Sequence, residues 1–228
     1  MKEIRIVAFD VESCSANRKF PTYSDLIIGI SVHTASSIDP CSKCQGRMFI
    51  AEELTFEAEE KIIVSFLDIL KQNSGAVLTA YNLIGFDEPI LLSRSKEHYP
   101  LSFRLLDVIH QFSLYDTMIA YKTYARNPKS CNLKRAIEQL TANGHDCFSL
   151  KSKSVLSGKE VLGLWAKEMA GISKEFSTYA AEDSYNHLRL AQVLLSSNVK
   201  EGLWFSESHN GINGKIHTHN IFSLSNQD

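Results

Sequence analysis

Ile4-Arg5-Ile6-Val7-Ala8-Phe9-Asp10-Val11-Glu12 is a short run rich in β-branched residues that closes on two acids, and it decides the fold. Its apolar part reads as a buried strand. Strand side chains alternate between faces, so Asp10 and Glu12, two apart, project together from one end of a sheet. Alone, such a pair more often marks a solvated turn than a metal site.

Further strands are expected over Leu26–Val32 and Arg47–Ile50, joined by the loop ASSIDPCSKCQG, which makes the first three strands antiparallel. Helical spacing follows from Thr55, a plausible cap, to Gln72, with Ile63, Phe66, Leu67 and Leu70 on one stripe. A short apolar run, Ala76–Ala80, leads through Tyr81-Asn82-Leu83-Ile84-Gly85-Phe86-Asp87 into a helix from about Phe86 to Lys96. Another strand is expected over Gln111–Thr117, then helices near Leu133–Leu140 and Lys159–Met169. The last helix, Phe176 to about Ser196, aligns Ala181, Ser184, Leu188, Ala191 and Leu195 on one face. This alternation predicts one α/β domain over 1–205, and the aperiodic stretch 206–228 is expected to be a flexible tail.

Composition narrows the function. A net charge of −2 disfavours holding nucleic acid through a broad basic surface, although bound cations can supply positive charge locally. The modest basic runs are Lys122, Arg126, Lys129, Lys134 and Arg135, then Lys151, Lys153 and Lys159. No stretch reaches the length of a membrane span, and the N-terminus is charged where a secretory signal is apolar, so a cytoplasmic or, in a eukaryote, nuclear protein with reduced thiols is expected. Cys41-x2-Cys44 is half of a zinc pattern without a second half, and it reads as a flexible hairpin tip. Cys131 and Cys147 read as packing or surface thiols.

Two further patterns join the first pair of acids. Asp87 falls where a helix begins after an apolar strand, at the end of the sheet where α/β proteins place their sites. Tyr179 and Asp183, four apart in the last helix, share one face, so a phenol can overhang a carboxylate. His187 on the same helix can point at the site or cover the sheet. Phosphodiester hydrolysis needs an activated water and a stabilised leaving oxygen, which two divalent ions about 3.5–4 Å apart provide, and hard ions prefer oxygen ligands. Carboxylates from three segments suit that need.

Phe9-Asp10-Val11-Glu12-Ser13, Asn82-x3-Phe86-Asp87 and Tyr179-x3-Asp183, in this order, resemble the three exonuclease motifs of the DEDD superfamily. Thr178 stands where the histidine branch carries its histidine, so the resemblance is to the tyrosine branch, closest to the proofreading exonuclease domain of family B DNA polymerases and its stand-alone relatives. Leu114-Tyr115-Asp116-Thr117 resembles a strand these proteins place beside the site. The resemblance implies an RNase H-like fold, a mixed five-stranded sheet flanked by helices, and a 3′-5′ exonuclease that uses two Mg²⁺ or Mn²⁺ ions and releases nucleoside monophosphates. It implies that Asp10 bridges the ions, that Glu12 and Asp183 complete the catalytic-water site, that Asp87 works mainly through the second ion, and that Tyr179 orients the water. Ser13, Cys14, Asn82 and Phe86 would meet the terminal nucleotide. Single-stranded DNA 3′ ends are the expected substrate, with a polymerase or repair protein as a partner in trans. The alternatives are the same chemistry on RNA and a catalytically idle binding module.

Overall fold

The computed structural model describes residues 4–14, 22–126, 131–149 and 156–205, and for 204 and 205 the backbone alone. The first run of sequence forms β1 (Ile6–Ser13), paired antiparallel with β2 (Ile27–Ala35), which pairs antiparallel with β3 (Gln45–Ile50). On its other side β1 runs parallel to β4 (Val77–Ala80), and β4 runs parallel to β5 (Ser113–Asp116). The five expected strands are therefore present, three antiparallel and then two parallel. A sixth short strand, β6 (Leu203–Phe205), adds antiparallel to β5 and gives the order β3-β2-β1-β4-β5-β6.

Alternation along β1 sorts the two faces. Val7, Phe9 and Val11 point into a cluster with Phe66 and Leu67 of α1 (Phe56–Gln72), Ile90 and Leu91 of α2 (Glu88–Glu97), and Leu101 and Leu105 of α3 (Leu101–Ile109). Ile6 and Ala8 point the other way, toward Leu188, Ala191 and Leu195 of α7 (Glu175–Ser196). Tyr121 of α4 (Thr117–Tyr124) and Ala136 and Leu140 of α5 (Leu133–Ala142) complete that layer. A third cluster packs Ile28 and Phe176 with Val161 and Trp165 of α6 (Gly158–Met169), where the Trp165 indole N–H donates to the Ala51 carbonyl at 2.8 Å.

The caps explain several boundaries. The Thr55 hydroxyl accepts from the Ala58 amide at the start of α1, and Ser157 and Glu160 form a reciprocal capping box at the start of α6. A one-stripe reading of α7 understates its burial, because nearly every residue from Asn186 to Leu195 is enclosed by the sheet, α4, α6 and the β2–β3 hairpin. Three features depart from the sequence reading. Helices α3 and α4 occupy segments read as connections, β3 begins at Gln45, and a π-helical turn over Leu83–Asp87 precedes α2.

One buried ionic knot ties the first half together. The Glu59 carboxylate, wholly buried on α1, accepts from the Ile27 amide at 2.7 Å, from Arg94 at 2.9 and 2.7 Å, and bonds to His98 at 2.7 Å. Arg94 also donates to the Ser24 carbonyl at 3.3 Å, so the chain entering β2 is held against α1 and α2. No helix of the described residues is long and apolar enough to cross a membrane. The segment 206–228, with its three histidines, and Lys129, Lys151 and Lys153 lie outside the described residues.

Candidate active site

Asp10 and Glu12 leave β1 on the face that α7 covers, and Asp183 comes down from α7 onto them. One carboxylate oxygen from each of the three lies within 4.8 Å of the others, and among the described residues no other His, Cys, Asp or Glu group converges in this way. Asp87, at the end of the π-turn, stands beside Asp10 outside that limit. It accepts from the Val11 amide, while its buried Oδ1 has no partner. That amide is free for Asp87 because the β1–β4 pairing ends at Ala8↔Thr79 and the strands part beyond it.

Burial pushes all four carboxyl groups above the ordinary carboxylate range. The charges of their neighbours push Glu12, Asp87 and Asp183 further, whereas His187 and a hydrogen bond with Glu12 pull Asp10 back. The cluster is thus a set of oxygen donors short of positive charge. An all-carboxylate donor set with an orphaned oxygen on Asp87 fits hard divalent cations, which take oxygen ligands and keep some of their waters.

Tyr179 hydrogen-bonds through its hydroxyl to the Asp183 carboxylate, one helical turn away, and burial followed by the charge of Glu12 pushes its phenol up. It therefore stays a neutral hydroxyl. Its ring and Cys14 both pack against the cluster of Ile28, Val161, Trp165 and Phe176, and Ser13 precedes Cys14 at the end of β1. The Ser13 Oγ is buried without a partner, so it has a free donor at the site.

Asn82 sits at φ 68°, a left-handed conformation that Asn tolerates, and starts the π-turn that presents Phe86 and Asp87. A Cβ at Gly85 would lie against the Asn82 side-chain oxygen, so a larger residue there would have to displace that side chain. Two residues absent from the expected site hold these parts in place. The buried Asp116 carboxylate accepts from the amides of Asn82, Ile84 (3.1 Å), Met118 (3.0 Å) and Ile119 (3.2 Å), capping α4 and the π-turn together. Tyr23, 46% exposed, donates its hydroxyl to the Gly85 carbonyl at 3.0 Å.

His187, left open by the sequence, points at the site. Its Nδ1 must donate to the Phe9 carbonyl at 2.9 Å, since a carbonyl only accepts, and this leaves Nε2 facing Asp10 Oδ1 at 4.0 Å. Burial, opposed by the charge of Asp10, lowers the imidazole pKa, and the ring stacks on Tyr81.

A family model described as the exonuclease domain of DNA polymerase family B matches residues 2–117. The chain belongs to that family. The matched stretch carries Asp10, Glu12 and Asp87 and ends at Thr117, just past β5, so Tyr179 and Asp183 are joined to the site by geometry. The DNA polymerase catalytic subunit of Human herpesvirus 8 type P (isolate GK18) is 29% identical over 117 residues, 45% of this chain and 11% of that protein. The family B DNA polymerase of the archaeon Pyrobaculum calidifontis superposes with a TM-score of 0.64 at 22% identity, over 86% of this chain and 25% of that one. The chain thus spans about a tenth and a quarter of these two polymerases, and its fold is the RNase H-like fold of their exonuclease domains.

Proposed function

We propose that this chain is a divalent-metal-dependent 3′-5′ exonuclease of the tyrosine branch, acting on single-stranded DNA through the unit 1–205. The observation that carries the proposal is the meeting of Asp10, Glu12 and Asp183 oxygens within 4.8 Å, with Asp87 alongside and the Tyr179 hydroxyl on Asp183. Asp10, Glu12, Asp87 and Asp183 would hold the cations, which when bound supply an activated water and stabilise the departing 3′ oxygen. The chain's own residues orient and hold the rest. Tyr179, kept neutral, directs the water's lone pair from its place on Asp183. Ser13 and Cys14 on one side, and Asn82 and Phe86 on the other, receive the terminal nucleotide, where stacking on an aromatic ring tolerates every base. A polymerase or repair protein in trans would deliver the 3′ end.

The reading is tested with single-stranded DNA and RNA oligonucleotides labelled at either end, with Mg²⁺, Mn²⁺ or chelator. The expected result is stepwise shortening of 5′-labelled DNA, immediate mononucleotide release from 3′-labelled DNA, and no reaction in chelator. Shortening of RNA alone would move the substrate, and no metal-dependent hydrolysis of either would reject the proposal. Tyr179→Phe removes one hydrogen bond to a charged partner. It should lower kcat by about 10–100-fold with KM little changed.

A further inference from the structure

Tyr23 stands in a turn that is fastened from several sides. The Asp25 amide donates to the Thr22 carbonyl at 3.0 Å, and the Thr22 amide donates to the Asp25 carboxylate at 2.7 Å, so the turn closes on itself. The Ser24 carbonyl accepts from Arg94, and the Ile27 amide donates to the same Glu59 carboxylate that locks Arg94. The Tyr23 hydroxyl reaches across to the Gly85 carbonyl. One short turn is thereby tied to α1, α2 and the π-turn of the candidate site.

These bonds hold the ring by its tip and its backbone and leave its faces open. Phe56, also exposed, packs edge-on to His98 and under the Arg94 guanidinium at 5.3 Å, and Tyr99 packs edge-on to Phe103. Among the described residues no ring and no cation stacks on Tyr23, although it is exposed. An aromatic ring that is open yet already immobilised gave up its conformational freedom during folding, so a ligand that stacks on it bears little ordering cost.

The anchor also says what the ring stands beside. Gly85 is an exposed residue of the π-turn, directly before Phe86 and two residues before Asp87. Phe86 itself is half-buried against the cluster of α1, α2 and α3. Tyr23 thus flanks the turn on which the terminal nucleotide is proposed to sit. The net charge of −2 leaves little scope for gripping a strand by neutralising its phosphates, whereas stacking needs no charge and accepts every base.

We propose that Tyr23 is a substrate-positioning residue whose ring stacks on the penultimate base of the single strand. The proposal rests on the exonuclease reading of the carboxylate site and adds the contact that holds the strand beyond the scissile bond. That contact lies on the part of the strand that stays behind after cleavage. It reads a π-face rather than the identity of the base, as trimming of any sequence requires.

The test uses the full chain with Mn²⁺ and two single-stranded DNA oligonucleotides, one normal and one whose penultimate nucleotide lacks its base. Tyr23→Leu should raise KM for the normal strand by about 5–100-fold with kcat nearly unchanged. The wild type should show a rise of the same size on the abasic strand, and Tyr23→Leu should add nothing to it. Tyr23→Phe keeps the ring and loses only the tie to Gly85, so its KM should lie nearer the wild type than that of Tyr23→Leu. A role confined to holding the turn predicts equal damage from both. In a second arm, independent of turnover, 5-iododeoxyuridine at the penultimate position is irradiated on the wild type in Ca²⁺, and the crosslink should map to Tyr23. If Tyr23→Leu does not fold, this crosslink decides. A crosslink at another residue or none, or an unchanged KM or an equal KM rise on both strands in folded Tyr23→Leu, overturns the inference. Absence of hydrolysis by the wild type would reject the exonuclease reading, and the crosslink would still decide the place of Tyr23.

Discussion

In Asp183→Asn, hydrolysis of labelled single strands in Mg²⁺ falls by at least about 10³-fold, equivalent to roughly 4 kcal/mol of lost transition-state stabilisation. Asp10→Asn behaves the same way, because each variant removes one of the three oxygens that converge within 4.8 Å. The fold does not suffer. All four acids have folded pKa values raised by burial, so without metal the folded protein holds protons that the unfolded chain releases. The contribution of these four groups to the stability of the metal-free protein is therefore greatest in acid, and it declines from about pH 4 upward as the pH passes through their raised folded values. Removing one repelling carboxylate lessens that decline, so metal-free Asp183→Asn should melt at or above the wild-type temperature at pH 8. Adding Mg²⁺ at about 100 times its Kd should stabilise the wild type by about 2.7 kcal/mol, or roughly 5–11 °C in Tm. The variant should lose most of that gain. Melting curves with and without Mg²⁺ across the pH range check both halves, and full activity in either variant would remove the carboxylate site from the reaction.

Glu59→Ala should be the most damaging single change outside the site. Glu59 is a buried carboxylate whose loss strands the Arg94 guanidinium and the Ile27 amide without an acceptor. Breaking one partner of a buried ion pair costs about 3–5 kcal/mol, which for a chain of this size lowers Tm by roughly 6–20 °C. Arg94 is itself held firmly charged by Glu59, so the double variant Glu59→Leu, Arg94→Met, which removes both charges, should recover part of the loss. Thermal or denaturant unfolding of the three proteins measures it. If Glu59→Ala melts within about 2 °C of the wild type, the knot does not hold the entrance to β2.

The contrast between these two places explains what the sequence could disclose. The acids were legible because each motif is local. Asp10 and Glu12 alternate along a strand, Asp87 opens a helix, and Tyr179 and Asp183 are one turn apart. The helical stripe of α1 was legible for the same reason, as Ile63, Phe66, Leu67 and Leu70 are all buried. What escaped was set by partners remote in the chain. His187 is oriented by the Phe9 carbonyl 178 positions away, and Asp116, which reads as a polar strand end, proves to cap α4 and the π-turn at once. That π-turn has no characteristic apolar period, so the sequence showed only a helix start. Three-residue β6 carries too short a pattern to register and exists through pairing with β5.

Three polar ties fasten α7 along the sheet. The Ser31 hydroxyl donates to the Ala180 carbonyl at 2.7 Å, His33 bonds to Ser184 at 2.8 Å, and His187 donates to the Phe9 carbonyl. They bracket Asp183 on both sides, so the helix can neither slide nor roll without breaking a buried bond. The carboxylate is thus parked over β1 before any ion arrives, and capture of the ion requires no rearrangement of the backbone. Ion affinity in this protein is accordingly governed by how far charge repulsion is relieved rather than by the entropy of assembling ligands, and it should vary steeply with pH and little with temperature-driven fraying.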